Sequence, residues 1–439
     1  MGMAESTFTP PPDPGINPEQ GLAHLRAFLS VASTGSIAKS SDDIFKASSA
    51  ITRSIRELEK ALGTVLFERK PRGMLMNAYG EAVMRRAVRI RDQAEQTADE
   101  LCRSKALGAI SRNVVFNLMF SGKKLQLLEQ LSELRHLSAA AEKLGVSQAG
   151  ASMSLSRIES AIGQPLFHRM IQGMVATDTA DKLVAAGKRI FAELRHMEAD
   201  LSALAGTQQG TVIVGALPLG RTYILPMAIA NALKSFPKIR VKTVEAPYDV
   251  LVSRLRTGDI DMILGALRPE AMCRGLITEK LFSDRIGIMA RAGHPLAGHP
   301  QIQLDELLNE QWILPRTDAP GRRLIDDSFA ELGLAPPEAS VETGDLAIVR
   351  QLLCGSDMLT AISPRQLRVE VESGAIVELP VPLGQTTRQI GLTLRDGALL
   401  PPIAHSILDS IRLYARDLPT HCKTIRRLAG EPAQTPEGR

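Results

Sequence analysis

Residues 22 to 90 align with residues 122 to 190 without a gap, at an offset of 100 residues, and this internal repeat constrains the fold more than any other feature. Matched positions are identical at Leu25 and Leu125, Glu59 and Glu159, Ala61 and Ala161, Gly63 and Gly163, Leu66 and Leu166, Phe67 and Phe167, Arg69 and Arg169, Gly73 and Gly173, and Met74 and Met174. Apolar character agrees more widely, as at Ile55 with Leu155, Leu58 with Ile158 and Leu62 with Ile162. A chance match between two helical segments would not keep the glycines and the L-F-x-R and G-M runs in register over this length. Whatever one copy folds into, the other folds into as well.

Each copy parses into the same elements. Leu25, Phe28, Leu29 and Ala32 in the first copy, and Leu125, Leu128 and Leu131 in the second, give a first helix one apolar face. A tight turn with Ser36 as N-cap precedes a short helix ending at Ile44 or Leu144. A third helix runs from Ala47 to Leu62 or from Ser147 to Ile162 and stops at Gly63 or Gly163, where glycine tolerates the left-handed turn. A hairpin over Leu66 to Met76, turning near Pro71 to Gly73, completes a helix-turn-helix with a wing. A long helix follows each wing. In the second, Leu183, Ile190, Leu194, Met197, Leu201 and Leu204 form a heptad seam that predicts pairing with a partner chain as a homodimer or tetramer. The matching seam, Val83, Ala87, Ile90, Ala94, Thr97 and Leu101, has smaller side chains and predicts a weaker dimeriser. Between the copies, NVVFNLMFSG (113 to 122) is apolar but too short to classify.

From Gly206 the pattern changes to short apolar runs alternating with amphipathic helices: TVIVGAL, helix 222 to 235, IRVKTVE, helix 248 to 257, DMILGAL. Strands separated by helices of that length predict right-handed crossovers and a parallel sheet. RIGIMARA, WILP, helix 321 to 332, ASVETG, helix 345 to 354 and MLTAIS predict a second such group, with RQIGLTLRD and helix 401 to 417 returning to the first. Two α/β subdomains then meet at a cleft, with crossings near Arg268 and Gln366. The expected organisation is a tail (1–20), a first winged helix-turn-helix with its linker helix (21–107), a connector (108–122) and a second head with its helix (123–205). An α/β domain (206–418) follows, with subdomain I at 206–268 and 367–418 and subdomain II at 269–366, and then a tail (419–439). Proline at positions 10, 11, 12, 14 and 18 and the polar C-terminal run predict disorder at both ends.

Charge locates the partner. Residues 1–205 hold 26 Lys and Arg against 22 Asp and Glu, and residues 206–439 hold 26 against 26, so the whole +4 excess lies in the first half. That points to a polyanion bound there. The four cysteines, Cys102, Cys273, Cys354 and Cys422, form no C-x-x-C pair, which argues against a zinc ribbon or disulfide framework and for a reducing compartment. The N-terminus lacks a secretory pattern and no run approaches about 18 apolar residues, so a cytoplasmic protein with no membrane partner is expected. No histidine pair at i, i+4, H-E-x-x-H, G-x-S-x-G or Walker pattern occurs, so neither metal, cofactor nor catalytic residue is expected.

With LSAAAEKLGVSQAGASMSLSRIESAIGQPLFHR (137–169), SIAKSSDDIFKASSAITRSIRELEKALGTVLFERKPRG (36–73), and GTVIVGALP, PKIRVKTVE, LRTGDIDMILG and GHPLA, the chain resembles the LysR-type transcriptional regulators over about residues 22–418. Members normally carry one DNA-binding head. This chain resembles a complete regulator preceded by an extra head. The implied fold is α+β multidomain: two winged helix-turn-helix domains with long linker helices, then a two-subdomain α/β effector-binding domain like type II periplasmic binding proteins. The implied function is effector-controlled binding of double-stranded DNA at promoters, with RNA polymerase as a further partner. GALPLGRTYILP and WILPRTDAPGRR resemble members that sense sugars or aromatic-catabolism acids, so the expected effector is an aromatic or ring-fission carboxylate, or a sugar.

Small polar or cationic side chains at the start of a recognition helix are what can reach base edges in the major groove. Ser147, Gln148 and Ser152 match the family's serine-glutamine motif, with Arg157 and Arg169 as further contacts. The first copy has Ala47 and Ser48 there, so Ser48, Ser49, Thr52, Arg53, Arg56, Arg69 and Arg72 are its expected contacts, with phosphate or bases. Residues 46–91 hold 11 basic and 4 acidic residues, against 5 and 3 for 146–191. Arg85, Arg86, Arg89 and Arg91 read equally as phosphate contacts or as a solvated helix face. For the effector, Pro218, Leu219, Gly220, Arg221 and Thr222 stand at a strand end opening a helix, where free N–H groups favour an anion. Arg268, Thr317, Arg322, Thr343 and Ser363 are expected at other strand ends facing the cleft. Rival readings are a solute-binding protein whose helical front end only oligomerises, and an architectural DNA binder without ligand control.

Overall fold

The computed structural model describes residues 17–70, 73–103, 110–317 and 319–416. The expected tails lie outside these apart from residues 17–20, as do Arg72 and the side chain of Arg69. The first copy comprises α1 (Pro18–Thr34), α2 (Ile37–Ile44), α3 (Ser48–Leu62), the hairpin β1 (Phe67–Lys70) and β2 (Gly73–Met76), and the long α4 (Ala78–Arg103). The connector contains α5 (Arg112–Met119), which the sequence left unclassified. Val115, Leu118 and Met119 are its buried residues and it packs against α4. The second copy repeats the order as α6 (Gly122–Leu134), α7 (Leu137–Lys143), α8 (Gln148–Ile162), β3 (Phe167–Met170), β4 (Gly173–Ala176) and α9 (Asp178–Leu204).

The shared residues of the repeat have physical jobs. Glu59 and Glu159 accept the backbone N–H of Leu66 and Leu166, each at 2.8 Å, tying the third helix of each copy to its hairpin. Gly73 and Gly173 have φ of +129° and +109°, and a Cβ there would lie 2.5 Å from Gly35 O and 2.6 Å from Arg135 O. In this close approach Met74 N–H donates to Gly35 O at 3.0 Å and Met174 N–H to Arg135 O at 2.7 Å, locking each wing onto the turn after its first helix.

The two long helices pack on each other within the chain. Val83, Ala87, Ile90, Ala94, Thr97 and Leu101 are all buried, as are Leu183, Ile190, Leu194, Met197 and Leu201; Leu204 is exposed. The seam expected to pair with another chain is therefore already covered by the first copy, which corrects its assignment as the intermolecular interface. The small residues of α4 complement the large ones of α9, so the smaller seam is the matched half of one interface.

The remaining chain forms two five-stranded sheets. The first orders β6 (Ile239–Val244), β5 (Gly210–Ala216), β7 (Met262–Ala266), β14 (Arg388–Arg395) and β8 (Leu276–Asp284). The second orders β11 (Ala339–Glu342), β10 (Trp312–Leu314), β12 (Leu359–Ile362), β9 (Gly287–Arg291) and β13 (Ile376–Glu378). Strand β5 is parallel to β6 and β7, while β14 is antiparallel to β7 and β8; β9 is likewise antiparallel to β12 and β13. Both sheets are thus mixed, not purely parallel. The chain changes sheets between Asp284 and Gly287 and again between Glu378 and Arg388, not near Arg268 and Gln366. Residues 276–284 belong to the first sheet and 376–378 to the second, because each ladders onto a strand distant in sequence.

A buried polar junction fixes the first sheet to the paired helices. Asp261, 4% exposed, accepts from Arg195 and His196 Nε2, each at 2.7 Å, and from Ile213 N–H at 2.8 Å. Burial alone would raise its pKa, but the Arg195 charge, His196 and the Ile213 N–H hold it well below the ordinary carboxylate range. Arg86, 1% exposed, donates to Glu193 at 2.9 Å, to Asp200 at 2.7 Å and to Leu399 O.

Nearby, Lys188 donates to Glu133 at 3.0 Å and Asp259 at 2.8 Å, with Glu129 3.8 Å away. Burial, reinforced by Glu133 and Asp259 and opposed by Lys188, raises Glu129 to about 7 from 4.5. Between those values the folded chain holds a proton the unfolded chain lacks, so stability falls as pH rises through this window. Glu129→Gln is therefore expected to stabilise the protein by about 2 kcal/mol at about pH 8 and by much less at about pH 4.5. Urea unfolding at the two pH values measures this, and equal gains at both would contradict it.

Candidate nucleic-acid interface and effector cleft

Helices α3 and α8 present the same pattern. Ile51, Ile55 and Leu58 bury one face of α3; Ala151, Leu155 and Ile158 bury the matching face of α8. On α3, Ser48, Ser49, Arg53 and Arg56 are exposed, while Thr52 is half-buried and its hydroxyl donates to Ser48 O at 2.9 Å. On α8, Gln148 and Arg157 are exposed and Ser152 half-buried, and Arg169 is exposed on the wing strand β3. Ser147, also exposed, caps α8 by accepting Gly150 N–H at 3.1 Å, whereas Ala47 makes no side-chain cap for α3. The two helix starts thus share geometry and differ in chemistry.

Arginines 85, 86, 89 and 91 of α4 separate. Arg86 and Arg89 face inward: Arg89 donates to Glu193 and to Gly397 O, each at 2.7 Å, and Arg86 lies in the buried cluster. Arg91 pairs with Asp92 at 2.8 Å, and Arg85 is exposed. Part of the first copy's positive excess is therefore spent inside the molecule. Sequence reasoning missed Phe45, which is 94% exposed with φ +52° at the end of α2, shortly before α3. The available signal was a bulky aromatic where the second copy has Gly145. A cavity of about 970 Å³ also lies between the second head and the first sheet, lined by Ser147, Gly150 and Ser154 of α8 and by Thr211, Lys238 and Arg240 of the sheet domain.

The expected effector residues do not all converge. Pro218–Thr222 is a five-residue helix, too short for a useful helix dipole, and Leu219 and Gly220 are buried. A Cβ on Gly220 would lie 2.8 Å from Leu264, so this glycine serves packing. Thr222 donates to Leu219 O at 2.8 Å, and Arg221 pairs with Glu245 at 3.0 Å. Arg322 is corrected outright: it is buried and donates to Asp326 at 2.7 Å and Pro337 O at 3.1 Å, so it braces its own helix. Thr317 is exposed beyond β10; Thr343, beyond β11, accepts Asp345 N–H at 3.1 Å.

Ser363 and Arg268 do reach the region where the chain crosses between sheets. Ser363, fully buried, donates to Asp284 at 2.6 Å, and Asp284 also accepts from Arg388 at 3.1 Å, its direct cross-strand partner. Gly321 stands beside Arg388, where a Cβ would lie 3.7 Å from its guanidinium. The Arg268 guanidinium lies 4.3 Å from the Tyr248 ring centre and donates to Ala266 O at 2.9 Å. Burial lowers the Arg268 pKa, Tyr248 opposes this and the Arg388 charge adds to it. Leu267 N–H donates to Gln389 O at 2.8 Å, so Arg268 and Arg388 stand on adjoining segments near the crossover. Asp284 and Arg388 were not singled out from sequence, since a cross-strand pair 104 residues apart leaves no local pattern.

Residues 205–416 match the family described as LysR substrate binding domain, and residues 22–81 and 123–181 each match bacterial regulatory helix-turn-helix protein, lysR family. The HTH-type transcriptional regulator GalR of Pseudomonas putida is 40% identical over 391 residues, 89% of this chain and 96% of that protein. PcaQ of Agrobacterium fabrum, also an HTH-type transcriptional regulator, is 27% identical over 273 residues, 62% of this chain and 88% of its own length. The crystal structure of CbnR, a LysR family transcriptional regulator, matches at a TM-score of 0.49 and 17% identity, covering 67% of this chain and 99% of that one. The family matches and the near-full-length likeness to GalR lead to one conclusion: the chain belongs to the LysR family and is a DNA-binding transcriptional regulator controlled by a small-molecule effector.

Proposed function

We propose that both helix-turn-helix copies are DNA-binding heads with divided tasks. The second reads bases through Ser147, Gln148 and Ser152, with Arg157 and Arg169 on the backbone. The first grips phosphate through Ser48, Ser49, Thr52, Arg53 and Arg56, with Arg69 and Arg72 of its wing. The observation that carries this reading is the pair of matched recognition helices, one opening on an exposed Ser147–Gln148 and the other on a cationic face. An exposed glutamine at a helix start can bond an adenine edge in bidentate fashion, which a serine cannot.

The effector we propose is a small carboxylate, an aromatic acid or its ring-fission product, bound near Arg268 and Arg388. Two guanidinium groups on adjoining segments, Arg388 paired with Asp284 and Arg268 stacked on Tyr248 with no carboxylate partner among the described residues, favour a carboxylate over a neutral sugar. The polar junction at Asp261 joins the effector half to the helix that carries the second head, giving the ligand a mechanical route to DNA. RNA polymerase is the proposed partner at the promoter, and any assembly of chains uses surfaces other than the α4–α9 seam.

The heads are tested by two substitutions against a panel of operator variants. Gln148→Ala is expected to relax preference at one base pair by about 1–3 kcal/mol, whereas Arg56→Ala is expected to weaken all sequences alike. The reverse pattern would move base reading to the first head.

A further inference from the structure

The contacts between the two copies follow an exchange rule. Arg89 Nε donates to Glu193 at 2.7 Å, and Arg189 Nε donates to Gln93 Oε1 at 2.7 Å. Under the repeat offset, 89 corresponds to 189 and 93 to 193, so residue i of each copy meets residue j of the other. This is the signature of a twofold, isologous interface, here closed inside one polypeptide. Arg86 near the start of α4 meets Asp200 near the end of α9, and Glu100 near the end of α4 lies 3.7 Å from Lys182 near the start of α9, so the helices run antiparallel. The equivalent helices α1 and α6 also pack on each other, extending the same relation to the heads. One apolar core cluster runs from Leu22 to Leu201 through both copies.

We infer that a single chain is a closed pseudo-dimer of heads, which clamps one DNA duplex at two half-sites of unlike sequence. The inference rests on the DNA-binding reading and deepens it by naming the substrate: an asymmetric operator filled by one chain. An interface with twofold geometry aims both recognition helices at the same face of a duplex, so the half-sites lie a whole number of helical turns apart, about 10.5 base pairs each. The halves cannot be the same sequence if Ser147–Gln148 reads one and Ala47–Ser48 the other. A symmetric palindrome is the operator of two identical heads, and this chain does not have them.

Two measurements on the full-length protein separate this inference from the DNA-binding reading. In the first, Arg89→Cys/Glu193→Cys is joined with a short bis-maleimide cross-linker and the bridged peptides are mapped by mass spectrometry, alone and as an equal mixture of ¹⁴N- and ¹⁵N-labelled chains exchanged beforehand. Bridges between peptides of one label only are expected; bridges of mixed label would show a swapped pairing between chains and overturn the closed pseudo-dimer. Gln93→Cys/Arg189→Cys supplies the equivalent pair if the first variant fails to fold. In the second, native mass spectrometry and hydroxyl-radical footprinting use DNA from the chain's own gene neighbourhood. The smallest specific complex is expected to hold one chain and two protected patches of different sequence. One chain protecting a single patch, or two inverted copies of one sequence, would overturn the inference. Absence of DNA binding with same-label bridges would reject the DNA-binding reading and the clamp, leaving the pseudo-dimer only as a structural feature.

Discussion

An Asp261→Ala variant is expected to lose about 3–5 kcal/mol of stability at neutral pH, the cost of removing one partner from a buried charge cluster. The buried carboxylate accepts three hydrogen bonds at 2.7–2.8 Å, and without it Arg195, His196 and the Ile213 N–H each lose a partner. The pH dependence carries a sign. A carboxyl held below its unfolded value contributes stability that is full above about pH 4 and is lost as pH falls through its folded pKa. The gap between wild type and variant is therefore expected to narrow in acid, below about pH 4. Urea unfolding across that range measures it. A loss under about 1 kcal/mol at neutral pH would show that Asp261 is not the joint between sheet domain and helices.

Operator affinity is expected to fall about 10³-fold or more between about 50 and 200 mM salt, as for a protein that neutralises about six phosphates. The cations available are fewer than the charge of residues 46–91 suggests, because Arg86 and Arg89 are consumed by Glu193, Asp200 and backbone carbonyls. Arg56→Ala should therefore reduce the salt slope by about one, while Arg86→Ala should leave the slope unchanged and destabilise the fold. Affinity flat across that range, or a slope reduced equally by both substitutions, would contradict the assignment.

The two heads were legible because their signals are local. Gly63, Gly163 and the capping Ser36 end or begin helices by chemistry confined to a few residues, and the observed elements follow them. The seam was legible as a face but not as a pairing. Periodicity says that Leu194 needs an apolar neighbour, and is silent on whether α4 of the same chain or another chain supplies it. Arg86 looked like a surface cation because its partners lie 107 and 114 residues away. The sheet crossings were misplaced for the same reason. LITEKLFSD offers only partly apolar alternation, and its place in the first sheet comes from the ladder to β14, more than 100 residues on. In the effector half, strand-end position alone could not tell Ser363, which reaches the crossover, from Arg322, which turns inward to Asp326 and Pro337.

The central claim, that the α/β half controls the heads through a bound acid, is tested most directly by reciprocal titration of the full-length protein. DNA affinity is measured with and without a panel of aromatic acids and ring-fission products, and acid affinity with and without DNA. Thermodynamic linkage requires both changes to have the same factor, about 5- to 150-fold for a coupling of about 1–3 kcal/mol. Equal factors that vanish together in Arg268→Ala are the predicted result. Tight DNA binding that no acid alters, or acid binding that DNA leaves unchanged, would contradict it.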